Sequence, residues 1–213
     1  MIAVSEPSVR ASSTRRIAPY LHWWTVEDDR IGGAQSDSYA VDTRFGVVFI
    51  DPLPMTYVAA DAYPSVGSAL LTTPRHQRAA WRYRFEHGAR VWAPRGSEGF
   101  LLHEPDDYFT DQSAMPAHFK AIRTATIGSA NFAFFTEGDS ERPKVLFVGD
   151  LIKRRTRESS LELAQQDGRG TSLVRRDVEA LLELDFQVLC LSHGGPILDD
   201  PHGALRELLD STA

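Results

Sequence analysis

The residues best suited to metal-assisted or acid–base chemistry stand just past two apolar runs. His193 follows Val188-Leu189-Cys190-Leu191 in Leu191-Ser192-His193-Gly194-Gly195-Pro196, and Asp150 follows Val145-Leu146-Phe147-Val148-Gly149. Short, wholly apolar runs read as strands buried on both faces, so each polar side chain emerges at a strand end. Open layered α/β folds gather their chemistry there, on loops held by rigid elements. An imidazole and a carboxylate delivered this way are candidate metal ligands, or a candidate catalytic pair of general base and orienting acid. Two more loops follow strand-like runs: Asp51-Pro52 after Val47-Val48-Phe49-Ile50, and Thr72 to Arg78 after Ala69-Leu70-Leu71. The latter carries Arg75, His76 and Arg78, and Lys153 stands just past Asp150. Arg75, Arg78 and Lys153 together suit a carboxylate or phosphate ligand, which arginine binds in bidentate fashion.

Each of these residues also has a plainer use. His193 could cap its strand end, and Asp150 could anchor the basic Lys153–Arg157 loop through backbone amides. Asp51 before Pro52 reads as a turn residue, since Asp favours turn starts. His76, at the start of a helical stretch, reads most simply as a capping or solvated residue. His22, His87, His103, His118 and His202 have no partner at ligand spacing and read as surface or loop residues.

The elements that must position these groups follow from apolar spacing. Residues 1–16 are rich in Ser, Pro and Arg without periodicity and read as a loose tail, leaving 17–213 as a single domain. A first strand begins within Ile17–Trp24, and Tyr39–Val41 with Val47–Ile50 flank a turn-rich stretch, a β-hairpin pattern. Ala69–Thr72 is a short strand, His76–His87 a helix stopped by Gly88, and Arg90–Pro94 a strand again. Residues 96–111 read as loop. Phe119–Ile127, Asn131–Thr136 and Lys144–Val148 are extended, and the polar stretch from Lys153 to Gly170 reads as a long ordered loop. Ser172–Leu184 carries an amphipathic stripe at Leu173, Val174, Val178, Leu181 and Leu182. Val188–Leu191 is the last strand, and Asp200-Pro201 opens a final helix with Asp as N-cap. Two strand-rich halves, each closed by helices, predict an α/β fold, a four-layer α/β/β/α sandwich.

Composition narrows the partners. The chain has 213 residues and a formal charge of −6, long enough for one sizeable core and too acidic for a duplex nucleic-acid partner. No apolar run approaches the length that crosses a bilayer. The one cysteine, Cys190, lies inside an apolar run, so no disulfide forms within the chain and a cytoplasmic location is expected. Trp23, Trp24 and Trp81 in one exposed patch would favour a partner-binding role; a homodimer is left open.

The ordered set Phe49-Ile50-Asp51-Pro52, Leu71-Thr72, Gly149-Asp150 and Ser192-His193-Gly194 resembles the landmarks of the metallo-β-lactamase superfamily, over about Tyr39 to His193. The resemblance implies that superfamily's α/β/β/α sandwich and, in typical members, a two-zinc hydrolytic site. Its Thr-His-x-His-x-Asp-His loop corresponds here to Thr72-Thr73-Pro74-Arg75-His76-Gln77-Arg78, so Thr73, Arg75, Gln77 and Arg78 replace the ligands. Ser129 falls where a further histidine is expected. His76 lies on a spacer position and becomes a ligand only in a shifted register. The loop is more similar to a divergent subset of the superfamily whose activities are mostly unassigned.

Two chemical pictures follow. In the favoured one the chain is a metal-free or anion-binding divergent member with a degenerate metal site. Arg75, Arg78 and Lys153 then hold a small anionic ligand, and Asp150 and His193 serve as orienting acid and base. In the alternative, His76, Asp150 and His193 hold one zinc or iron ion and the protein hydrolyses a small ester, lactone or thioester. Two arginines in the loop oppose a cation electrostatically, which favours the first picture.

Overall fold

The computed structural model describes residues 6–125, 130–164 and 168–212. The first half winds β1 (Arg15–Ala18), β2 (Leu21–Asp28), β3 (Ala34–Thr43), β4 (Gly46–Ile50), α1 (Tyr57–Ala60), β5 (Ser68–Leu70), α2 (Ala80–His87), β6 (Arg90–Pro94) and β7 (Asp107–Phe109). The second half adds β8 (Lys120–Thr124), β9 (Asn131–Thr136), β10 (Val145–Phe147), β11 (Ile152–Lys153), β12 (Glu162–Leu163), α3 (Gly168–Leu181), β13 (Val188–Cys190) and α4 (Pro201–Ser211). Strands β1 to β7 form one seven-stranded sheet in sequence order, and β13-β10-β9-β8 form a four-stranded sheet.

Strand alternation builds the layers. Phe49 faces a core with Ala59 of α1, Tyr63 just after it, and Ala80 and Tyr83 of α2. Its neighbours Val48 and Ile50 face the other sheet, against Phe132, Phe134, Val145 and Phe147. In the second sheet Leu146 and Leu189 turn the opposite way, onto Val174, Val178, Leu205 and Leu208 of α3 and α4. Side chains of a strand point alternately to its two faces, so three apolar cores separate four layers, α/β/β/α. This is the expected architecture.

The parallel pairs fix which ends meet. Ile50 pairs with Leu70 and Phe147 with Cys190, each in parallel register. Asp51, the Thr72 loop, Gly149-Asp150 and Ser192-His193 therefore all leave their sheets at carboxyl ends.

Several expectations need correction. The hairpin of β3 and β4 is present, with Tyr39 opposite Ile50 and Val41 opposite Val48. The helix starts at Ala80, behind a 3-10 turn over Pro74–His76, because Arg78 takes a left-handed φ of 40° between them. Residues 96–111 include β7, whose three residues are too short to show a period and pair in parallel with β6. The Lys153–Gly170 stretch contains the β11–β12 ladder and the start of α3. Leu173 is exposed, while Val174, Val178 and Leu181 are buried. From Glu6 onward the supposed tail is docked: Glu6 pairs with Arg82, and Ala11 bridges Met55. Trp24 is buried, its Nε1 donating to the Leu53 carbonyl, so the tryptophans form no common surface patch.

Candidate functional site

Asp51 is the hub. It is buried and takes a left-handed φ of 48°, which turns the chain sharply after β4. Oδ1 accepts the Thr72 amide at 2.7 Å, and Oδ2 accepts the Thr72 hydroxyl at 2.6 Å and the Ser192 hydroxyl at 3.1 Å. His76 Nδ1 lies 2.8 Å from the same Oδ2. One carboxylate thus ties the loops after β4, β5 and β13. Burial alone would raise its pKa, but the charge and hydrogen bond of His76, with Arg78 and Thr72, outweigh burial and hold it low. The sheets also approach closely here: a Cβ on Gly149 would lie 2.8 Å from the Thr72 hydroxyl, so only glycine fits, and its φ is +56°.

Asp150 gathers the second layer. Its Oδ1 lies 3.1 Å from His76 Nε2 and 3.3 Å from His193 Nε2. His193 Nδ1 stands 3.1 Å from the Gln35 carbonyl and 3.4 Å from the Ser36 hydroxyl. Ligand atoms of His76, Asp150 and His193 all lie within 4.8 Å of one another, making this the metal-capable cluster among the described residues. His76 is buried, while Asp150 and His193 are half-buried. Burial opposes the Asp150 charge, yet His76 and His193 outweigh it and hold this carboxyl well below the usual range. For His76, burial and Arg78 both oppose a proton, whereas Asp150 and Asp51 outweigh them and raise its pKa.

The tautomers follow from these partners. A backbone carbonyl only accepts, so His193 Nδ1 carries a proton toward Gln35, and the Asp51 carboxylate demands the same of His76. Both Nε2 atoms then turn lone pairs onto one Asp150 oxygen. Three such atoms at these distances repel unless positive charge lies among them, as two protons or as one metal ion. An imidazole whose other nitrogen is held by a carboxylate or carbonyl is the usual arrangement behind a metal ligand. The set fits a single ion with three protein ligands and an open position.

Among the described residues, no second set of metal ligands is assembled beside this cluster. Gln77 is spent on residues 102–103, its Oε1 accepting the Leu102 amide at 2.8 Å and its Nε2 donating to the His103 carbonyl. Thr73 Oγ1 is buried without a hydrogen-bond partner among the described residues. Arg75 is exposed. Arg78 is buried, with Nη1 donating to the Asp37 and Asp51 carbonyls at 2.7 and 3.0 Å. Ser129 lies outside the described residues.

His76, Asp150 and His193 therefore converge. Arg78 is buried behind them, while Arg75, in the 3-10 turn beside His76, and Lys153, at the end of β11, are exposed. Sequence reasoning missed two contributors. Asp51 read as a turn residue, and its position after a strand, within the Phe49-Ile50-Asp51-Pro52 landmark, was the signal of more. Gln35 acts through its backbone carbonyl, which has no side-chain signature. The other histidines do not join the cluster: His22 pairs with Asp42, His87 with the Tyr63 carbonyl, His103 stacks on Trp81 and His202 on Phe186.

No family profile matches the chain, and no curated protein sequence does. Solved structures do. A β-lactamase domain protein from Burkholderia ambifaria superposes with a TM-score of 0.66 at 14% identity, covering 97% of this chain and 76% of that one. A metallo-β-lactamase family protein from Thermus thermophilus gives 0.65 at 16% identity, with 92% and 80% covered. An archaeal metallo-β-lactamase superfamily protein from Sulfolobus tokodaii gives 0.61 at 13% identity, with 89% and 85% covered. With the layer order and the carboxyl-end site already described, these likenesses identify the chain as a divergent protein built on the metallo-β-lactamase fold.

Proposed function

We propose that this protein is a hydrolase-type member of that fold working with one divalent ion, held by His76, Asp150 and His193, on a small ester, lactone or thioester that carries a negative charge. One observation carries the reading: both imidazoles present Nε2 to a single Asp150 oxygen while their Nδ1 atoms are held by Asp51 and the Gln35 carbonyl. A divalent ion there supplies Lewis-acid polarisation of a carbonyl and an activated water near neutral pH.

The chain's own residues do the rest. Asp51 fixes the tautomer and ring plane of His76, and the Gln35 carbonyl does the same for His193. Asp150, half-buried, supplies the carboxylate oxygen that both imidazoles face. Arg75 and Lys153, both exposed, attract an anionic group against the chain's net negative charge. Arg78 stays behind the cluster as a fixed cation that braces the Asp51 turn. The same reading places the protein in the cytoplasm, where Cys190 remains a reduced thiol; cell fractionation tests that.

A second reading, a metal-free anion-binding protein, draws on the buried charge of Arg78 and on the two carboxylates that favour a proton on His76. One experiment separates the two. Chelator-stripped protein is supplied with zinc or ferrous iron and offered an aryl ester, a lactone and an acyl thioester, each with and without a carboxylate. The metal reading expects hydrolysis that depends on the ion, prefers the charged substrates and is lost in His193→Ala. Melting shifts with phosphate or carboxylates that need no metal, with no hydrolysis under any condition, would establish the second reading instead.

A further inference from the structure

The opposite end of the sandwich, at the amino ends of β4 and β10, holds a cavity of about 320 Å³. Its floor reaches the core between the sheets, where it is lined by buried Leu21, Phe119 and Val145 and half-buried Val41. Its rim mixes charges and aromatic rings, with Arg44 and Phe45 from the β3–β4 turn, His118, and Glu137, Asp139 and Arg142 from the β9–β10 turn. A second cavity of about 350 Å³ abuts it and shares Phe45, Ala117 and His118. The Phe45 and His118 rings, 5.3 Å apart and edge to face, form the partition.

Three features mark this place as built. First, left-handed backbone is concentrated here. Tyr20, Ala117 and His118 have φ of 62°, 51° and 62°, and all three line the cavity. Asp51 and Arg78 share that conformation at the metal-capable cluster, and Asp200 caps α4. Strained non-glycine positions persist where the surroundings over-determine them, and ligand clamps are such places. Second, Phe45 is 58% exposed, a large apolar side chain left open at the rim. Third, Arg44 has no carboxylate partner among the described residues: its guanidinium lies 4.7 Å over Phe45, with Nη2 3.2 Å from His118 Nε2. The wall's own acids are otherwise placed. Asp139 accepts the Glu141 and Arg142 amides and pairs with Arg142 at 3.6 Å, and Glu137 is exposed.

We propose that this cavity binds a small amphipathic carboxylate, its apolar tail on Leu21, Val41, Phe119 and Val145 and its carboxylate on Arg44. The cation and the apolar floor both suit that chemistry: an anion alone would leave the floor wet, and a hydrocarbon alone would make no use of the Arg44 guanidinium at the rim. The volume suits about ten non-hydrogen atoms at roughly 30 Å³ each, the size of octanoate.

Isothermal titration of the whole protein with octanoate tests this, with octanol and acetate as controls. One saturable site is expected, weakened at least about tenfold when the carboxylate is replaced by a hydroxyl or the tail is removed. Arg44 is exposed, so Arg44→Ala should fold and weaken octanoate at least about tenfold with little effect on octanol. Val41→Phe, which fills the floor, should weaken both. Octanol binding as well as octanoate, unchanged octanoate affinity in Arg44→Ala, or no saturation by about 10 mM would overturn the proposal. Zinc uptake at His76, Asp150 and His193 is independent of every one of these results.

Discussion

Asp51→Asn isolates the role of the hub. Asparagine accepts left-handed backbone as readily as aspartate, so the φ of 48° and the turn after β4 should survive. Its amide oxygen can still accept the Thr72 amide. Its NH2 then replaces the oxygen that now takes the Thr72 and Ser192 hydroxyls and His76 Nδ1. The hydroxyls can rotate to accept. The imidazole can accept only by moving its proton to Nε2, the atom aimed at Asp150. A neutral His76 in that tautomer has no lone pair for a metal. Loss of such an orienting partner costs about 10- to 100-fold in metal affinity, or about 1.4–2.8 kcal/mol. The metal-free protein should also lose about 2 kcal/mol, because charge-assisted hydrogen bonds contribute about 1.5–3 kcal/mol each and the amide restores part. Competition with a fluorescent zinc chelator measures the first quantity, and urea unfolding in chelator the second. Zinc affinity within about twofold of wild type, alongside the stability loss, would show that Asp51 does not orient His76 for a metal.

Other consequences are as concrete. Gly149→Ala places a methyl 2.8 Å from the Thr72 hydroxyl at a φ of +56°, so urea unfolding should show a loss of about 2–4 kcal/mol from strain and overpacking together. Asp28 is buried beneath Arg30 and Ser36. Burial alone would raise its pKa, but their hydrogen bonds and the Arg30 charge lower it from 3.8 to about 2. A depressed folded-state pKa stabilises the fold above the unfolded value, so about 2 kcal/mol present at neutral pH should vanish as pH falls from about 4 to 2. Asp28→Asn should flatten that part of the stability–pH curve, and an unchanged curve would show that Asp28 is not the group responsible. Phe49→Ala empties a site ringed by Trp24, Tyr63 and Tyr83 at 4.9–5.2 Å and should cost about 3–5 kcal/mol by the same unfolding assay.

The layers were legible because the central strands are short and apolar on both faces, as Val145–Phe147 and Val188–Cys190 show. Strand β7 was not, since Asp107–Phe109 owes its state to pairing with β6 and not to local pattern. His193 and Asp150 announced themselves by standing at strand ends. His76 did not, because its reach depends on the 3-10 turn and the left-handed Arg78 that follows, neither visible as a spacing. Arg78 looked like a ligand-facing cation from its place in the loop. Burial and two backbone carbonyls turn it inward, where it braces the turn that carries Asp51.

Whether His76, Asp150 and His193 together hold one ion decides between the two readings. Elemental analysis of untagged protein, stripped and then equilibrated with micromolar zinc, answers it. One equivalent is expected in the wild type and almost none in His193→Ala. No uptake, two equivalents, or undiminished metal in His193→Ala would refute the three-ligand site.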